Sequence, residues 1–314
     1  MHTGILLVNL GTPSQPTSKA VREFLTPFLL DKNVVDLNRL IWYPLLNCII
    51  LPRRVPTVAK LYAKIWLDDG SPLLVYTQNL ARALQEKTHL PVEISMTYGQ
   101  PSLQSGIEKL RAQHVQEIIL LPLYPQYSTT TTRPVWQQIH QLQEQYTQIS
   151  FKKIENYGLT PTYIQALAQS VTQFWHKNGP AQVLLCSYHG LPKRYVAQRE
   201  DTYAKTCVST THLLQQELAL DSDKIFHSYQ SRFGKEEWLT PYTVDTIRHL
   251  AQSGITHLDI IAPSFACDCL ETLHELAIEG QEVFQAAGGE VLRLIPALND
   301  SPLHVDALAC ILNL

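Results

Sequence analysis

Eight short apolar runs punctuate the chain, at 4–10, 92–98, 116–123, 149–155, 182–188, 224–230, 257–262 and 291–295. Most are continuous Val/Ile/Leu without polar alternation, which predicts parallel strands covered on both faces. Helical patterns fill the gaps. In "TPTYIQALAQSVTQFWHKNG", Thr160 is the expected N-cap and Pro161 the first-turn proline; Ile164, Leu167, Val171 and Phe174 form the apolar stripe, and Gly179 ends it. Ser301-Pro302 opens a last helix, expected over 302–313, with Val305, Leu308 and Leu312 on one face.

The two halves repeat one grammar. "GILLVNLGTP" from Gly4 and "VLLCSYHGLP" from Val183 both run an apolar strand into a G-x-P turn, and "VQEIILLPLYP" and "ITHLDIIAPSF" are both strands broken by proline at the carboxyl end. The pattern predicts an α/β chain of two Rossmann-like domains, 1–156 and 157–314, each a mainly four-stranded parallel sheet flanked by helices. Ligands of such sheets bind outside the carboxyl ends of the strands. The positions to watch are therefore Leu10, Tyr98, Tyr124, His189, Ser231 and Asp268. Neither half carries G-x-G-x-x-G or a Walker loop, so no nucleotide cofactor is expected.

With 314 residues, 45% hydrophobic and 17% charged, the chain is long enough for two cores. A net charge of −3 and no basic cluster beyond Arg53-Arg54 argue against nucleic acid as a partner. The six cysteines are scattered and match neither a disulfide framework nor paired C-x-x-C knuckles, which points to a reducing compartment, the cytoplasm. The N-terminal residues lack a signal-peptide pattern, and no run approaches the roughly 20 apolar residues of a membrane span. The segment "LIWYPLLNCIILP" at 40–52 has two readings. It is an exposed lip presenting Trp42, Leu45, Leu46 and Ile49 or Ile50, with peripheral membrane contact, or it is an ordinary buried helix.

The stretch "CDCLETLHELAIE" at 267–279 raises the question of chemistry. Glu271, Glu275 and Glu279 recur every fourth position, and no lysine or arginine appears between Asp268 and Arg293. Asp268-x-x-Glu271 fits a capping box, and the row fits a solvated face. Like charges at i, i+4 nevertheless cost some tenths of a kcal/mol each, a cost that a bound or passing cation would offset. Cys267 and Cys269 lack partners for a closed thiolate site and read as packing thiols. His189, held by Gly190 and Pro192 at a strand end, is either a histidine satisfied by its turn or a proton acceptor and metal ligand. Trp238 offers a flat ring in a polar loop.

"GILLVNLGTP", "LPLYPQYS", "LLCSYHGLPKRY", "SRFGKEEWLTPYT" and "FACDCLETLHEL", in this order, closely resemble the ferrochelatase family, in its proteobacterial form. The resemblance covers essentially the whole chain. It implies insertion of Fe(II) into protoporphyrin IX, with porphyrin and iron as substrates, in a cleft of a two-domain fold whose last helix packs back on the first domain. Carried over by position, His189 and Glu271 become the pair that binds metal and handles pyrrole protons, with Glu275 and Glu279 a metal path behind them. Leu10, Tyr98 and Trp238 match pocket-lining positions, and Arg54 and Ser231 match positions near the propionates. Cys269 stands where many relatives have histidine, and Thr97 where some have arginine. Thr129 stands where cluster-bearing relatives have a cysteine, so neither an iron–sulfur cluster nor another tightly bound cofactor is expected. A chelatase for a more carboxylated tetrapyrrole should show more loop arginines, and a porphyrin carrier would need no glutamate row.

Overall fold

The computed structural model describes residues 2–313 and divides into two compact units. The first comprises Met1–Leu123 and Ser128–Glu155, the second Tyr124–Tyr127 and Asn156–Leu314. The first unit holds β1 (Thr3–Asn9), β2 (Val92–Met96), β3 (Glu117–Pro122) and β4 (Ser150–Lys153), all parallel, in the order β2-β1-β3-β4. The second holds β5 (Val183–His189), β6 (Ile225–Gln230), β7 (His257–Ile261) and β8 (Val291–Leu294), parallel and in the matching order β6-β5-β7-β8. Every apolar run of the sequence became a strand. In each sheet the order reverses direction beside the first strand, between β1 and β3 and again between β5 and β7. The carboxyl ends of those strands therefore flank a crevice.

Burial on both faces explains the missing polar alternation. On one side of the second sheet Val183, Leu185, Leu258 and Ile260 pack with Ile247, Leu250, Leu276, Phe284 and Leu292. On the alternate positions of β5, Leu184, Cys186 and Tyr188 are buried as well. Leu276 belongs to the helix carrying the glutamate row, and its burial contributes about 1.5–3 kcal/mol toward seating that helix on the sheet.

That helix departs from expectation. Glu271–Glu279 is a π-helix, with the Gly280 amide donating to the carbonyl of Glu275, five residues back. Asp268 does not act as the cap of an α-helix. Its buried carboxylate accepts from Thr272 Oγ1 at 2.8 Å, Asn299 Nδ2 at 2.7 Å and the Ala297 amide at 3.3 Å, which ties the segment to the loop after β8. Burial raises the Asp268 pKa, and these donors oppose the shift.

The helix Pro161–Asn178 begins at Thr160, but the Thr160 hydroxyl donates to the Tyr157 carbonyl and makes no capping bond. The last helix runs Pro302–Ile311, is capped by Ser301 Oγ accepting from the His304 amide, and packs on Pro161–Asn178 within its own unit.

Segment 40–52 mixes the two readings offered for it. It forms a helix Arg39–Leu45, a π-helix Leu46–Ile50 and the start of a helix Leu51–Ile65. Trp42 and Leu46 are not lip residues: both are buried, and Trp42 Nε1 donates to the Leu29 carbonyl at 2.7 Å. Their i, i+4 spacing puts them on the inward face. The outward side chains are Leu40 (86% exposed), Ile41 (67%), Tyr43 and Ile49, with Leu45 and Ile50 half-buried. No helix among the described residues is long and apolar enough to cross a membrane.

Candidate metal centre

His189 is the last residue of β5, at the mouth of the β5/β7 crevice. Its Nδ1 lies 2.7 Å from the Gly190 carbonyl oxygen. A carbonyl only accepts, so Nδ1 carries the hydrogen and donates it. The Nε2 lone pair is then available for a proton or a metal ion. The side chain is half-buried, and its backbone amide donates to Ser264 Oγ at 3.4 Å. Gly190 is required where it stands. A Cβ there would meet the Gln230 carbonyl oxygen at 2.7 Å and the Trp238 ring at 3.1 Å.

Trp238 is brought to this turn by a short antiparallel strap. Pro192 bridges Trp238, the Lys193 amide donates to the Glu237 carbonyl at 2.9 Å, and the Leu239 amide donates to the Leu191 carbonyl at 2.9 Å. Ion pairs Lys193–Glu237 and Arg194–Glu236 lie along it, both solvent-exposed and so worth at most about 1 kcal/mol each.

Glu271 opens the π-helix after β7, and Glu275 follows it toward the same site. Burial raises the Glu275 pKa; the Ser231 hydrogen bonds and the charge of His189 lower it, and the charge of Glu271 raises it again. His189 and Glu271 therefore both act electrostatically on Glu275. Both carboxylate oxygens of Glu275 are held by Ser231, one by the amide at 2.7 Å and the other by the hydroxyl at 2.6 Å. Ser231 does this from a left-handed backbone, φ 62°. Ser231, which by resemblance matches a position near the propionates, makes these contacts with the acidic row.

Cys269 is a buried free thiol two residues before the Glu271 carboxylate. Burial first, then that carboxylate, push its pKa well above the ordinary value. A thiol in such surroundings favours the protonated S–H form over a thiolate ligand. Cys267 is likewise buried and free, as packing thiols should be.

Glu279, at the far end of the π-helix, is exposed and lies 3.4 Å from Nδ1 of the buried His274. Between Glu275 and Glu279, a cavity of about 90 Å³ opens against Thr243, Ile247 and Val283. Among the described residues no three or more His, Cys, Asp or Glu side chains close into a ready-made metal cage.

The expected residues of the first unit take more varied positions. Leu10 comes directly after β1, half-buried, and its carbonyl accepts from the Tyr98 amide at 2.9 Å. Tyr98 is buried, packs edge-on against Phe28 and donates its hydroxyl to Asp31 at 2.8 Å. Arg54 is exposed on the helix Leu51–Ile65.

Gln230 escaped the sequence reading altogether. It is 3% exposed, ends β6 in register with His189, and touches both halves of the site. A neutral amide at a strand end carries no motif. The only hint was its place, a polar residue closing the strand "IFHSYQ" at its carboxyl end.

A doubly wound chain that presents an imidazole and a carboxylate row at its switch point has the architecture of a tetrapyrrole chelatase. The solved structures that share the fold include SirB from Bacillus subtilis with Fe3+ (TM-score 0.61, 13% identity, covering 100% of this chain and 95% of that one). CbiX, the terminal enzyme for biosynthesis of siroheme in denitrifying bacteria, also shares it (TM-score 0.51, 12% identity, covering 99% and 98%). At these identities the likeness is one of fold alone. Sequence comparison goes further. The ferrochelatase family model matches residues 2–313. The curated ferrochelatase of Aliivibrio fischeri is 54% identical over 313 residues, 99% of this chain and 97% of its own. That of Vibrio cholerae is 51% identical over 311 residues, 99% and 97%. The chain belongs to the ferrochelatase family.

Proposed function

We infer that this protein inserts Fe(II) into protoporphyrin IX, forming protohaem and releasing two protons, the terminal step of haem synthesis. Near-full-length identity of about half to curated ferrochelatases supports the activity. The assignment of residues rests on one observation: the half-buried His189 carries its hydrogen on Nδ1, and Glu275, the middle carboxylate of the row, feels its charge.

The chemistry comes from those groups. Metallation removes two N–H protons from a macrocycle whose lone pairs do not point at the incoming ion. His189 Nε2 accepts the pyrrole protons one after the other and passes each to solvent, while the Glu271 carboxylate holds the cation opposite. Glu275 and Glu279 conduct the ion and balance its charge. Nitrogen and oxygen donors suit Fe(II) held in transit, whereas a multi-thiolate site would select softer ions and retain them. No resident cofactor is needed for proton and cation transfer of this kind. Gripping a bent macrocycle more tightly than a flat one is transition-state complementarity, and we assign Trp238, Leu10 and Tyr98 to porphyrin contact on that ground. Arg54 is assigned to a propionate, and Ser231 is kept among the porphyrin-side residues as well as on Glu275.

The exposed Leu40, Ile41, Tyr43 and Ile49 favour peripheral contact with the cytoplasmic face of a membrane, where an apolar porphyrin is delivered.

The test is a spectrophotometric metallation assay. His189→Ala should lower turnover by about 10²-fold or more, the usual effect of removing a general base, with Tm unchanged. Glu271→Gln should impair turnover far more than stability. Activity above about a tenth of wild type in His189→Ala would remove the proton-acceptor role.

A further inference from the structure

Metal transfer needs His189, Glu271 and Glu275 at fixed separations, yet they lie on three different segments: the β5 turn, the opening of the π-helix and its next turn. One residue bonds to two of these segments, and its chain neighbour bonds to the third. The Gln230 carbonyl oxygen accepts from the Gly190 amide at 2.8 Å, which pins the turn carrying His189. Its side-chain Nε2 donates to the Glu271 carbonyl at 2.8 Å, which pins the first residue of the π-helix. Its chain neighbour Ser231 holds both oxygens of Glu275.

The side chain of Gln230 is itself fixed. Oε1 accepts from Ser187 Oγ at 2.9 Å, and Ser187 and Ser228 both share hydrogen bonds with Thr243, at 2.8 and 2.9 Å. Ser187, Ser228 and Thr243 are all buried, so this is a closed polar network in the core. Such a network rigidifies when satisfied and is costly when broken. It also orients the amide unambiguously, since only the nitrogen can meet the Glu271 carbonyl.

We propose that Gln230 is the positioning residue of the metal centre, setting the distance between the His189 turn and the Glu271–Glu275 turn and thereby the affinity for the incoming ion. It touches neither substrate. This inference rests on the assignment of His189 and Glu271 as metal-binding groups given above. Groups that orient metal ligands typically change affinity 10–100-fold when removed. A π-helix, whose wider turns pack less tightly, needs such an external clamp more than an α-helix does.

The test pairs Gln230→Met, of similar length but without the amide, with the milder Ser187→Ala, which leaves Gln230 in place but loosens it. Cobalt(II) binding is titrated in the absence of porphyrin, followed by its visible absorption, and Tm is measured on each variant. Metallation kinetics then separate KM for metal from KM for porphyrin. The expected result for Gln230→Met is cobalt(II) affinity and metal KM each weakened about tenfold or more, with porphyrin KM within twofold of wild type. Ser187→Ala should move the same quantities in the same direction by less.

His189→Ala and Glu271→Gln serve as references. If neither alters cobalt(II) binding, the assignment of the centre itself fails. If they do and Gln230→Met does not, only the positioning role fails. A parallel loss of metal affinity, porphyrin affinity and Tm in Gln230→Met, with Ser187→Ala unaffected, would reduce Gln230 to an ordinary core residue and overturn the proposal.

Discussion

Gly190→Ala measures how closely the His189 turn is built. The added methyl would sit 2.7 Å from the Gln230 carbonyl oxygen and 3.1 Å from the Trp238 ring. Neither neighbour yields cheaply. The Gln230 carbonyl is the acceptor for Gly190's own amide, so moving away lengthens that hydrogen bond. Trp238 is carried on a strap tied by backbone bonds between 191–193 and 237–239. Overpacking of this kind costs about 1–3 kcal/mol, and weakening the Gly190–Gln230 bond adds about 0.5–1.5 kcal/mol. The sign is informative in itself. Gly190 is not among the positive-φ glycines, and at an unstrained site glycine to alanine stabilises by about 0.4–1 kcal/mol through the unfolded chain. Relief of the clash by several tenths of an ångström displaces His189, and a misplacement of about 1 Å costs about 10²-fold in rate. We expect a Tm lower by several degrees and turnover reduced roughly tenfold or more, read by thermal unfolding and metallation of protoporphyrin. A variant that melts at or above the wild-type temperature and turns over normally would refute the close approach.

Glu275 gives a pH-dependent expectation. Its folded pKa is raised, chiefly by burial, so its contribution to stability is full below the unfolded value, about pH 4, and is lost as pH rises through the folded value. Glu275→Gln should therefore gain Tm relative to wild type from the acid range up to neutrality while metallation falls, and a uniform loss of Tm across pH would contradict the sign. In segment 40–52, Leu46→Asp should unfold the first unit, because Leu46 is fully buried. Leu40→Asp with Ile41→Asp should keep Tm within a few degrees and weaken cosedimentation with anionic liposomes; unchanged liposome binding would end the membrane reading.

The strands were legible because both faces of each sheet are covered. A run such as "VLLCSY" can only be buried if every side chain is acceptable inside. His189 was read as a strand-end imidazole and Glu271 as part of the acidic row after Asp268, and the family resemblance paired them. The π-helix was not. Over nine residues, glutamates four apart fall near one line in either helix type, and no residue marks the change from i→i+4 to i→i+5 bonding. Asp268 looked like a cap because its partners, Asn299 and Ala297, lie some thirty residues on, beyond any local pattern. Segment 40–52 misled because Trp42 and Leu46 are as apolar as Leu40 and Ile41. Only the helical phase separates inside from outside, and Pro44 together with the π-turn obscures it.

The two sheets share strand order and switch point, yet the turns that succeed the corresponding strands differ in the side chains they offer. After β1 come Leu10, Gly11, Thr12 and Pro13. Gly11 adopts φ 116° with its Cα pressed so close to the Tyr98 carbonyl that a Cβ would lie 1.8 Å from that oxygen. The backbone there is committed to joining β1 to the end of β2, and the side chains on offer are apolar or hydroxyl-bearing. After β5 comes the equivalent turn with His189 in place and Gly190 making the close approach, this time to Gln230 at the end of β6. The same device, a glycine bringing the central strand's turn onto its neighbour, thus produces an apolar shelf in one unit and a fixed imidazole in the other. The loop after β7 runs through Asp268 and Cys269 into the π-helix that opens with Glu271, and Glu275 on that helix is held by Ser231 after β6. In the first unit the equivalent loop after β3 offers no carboxylate before Glu144. The units therefore differ without any change of strand order, by an acidic helix placed after one strand and an amide that holds its first residue.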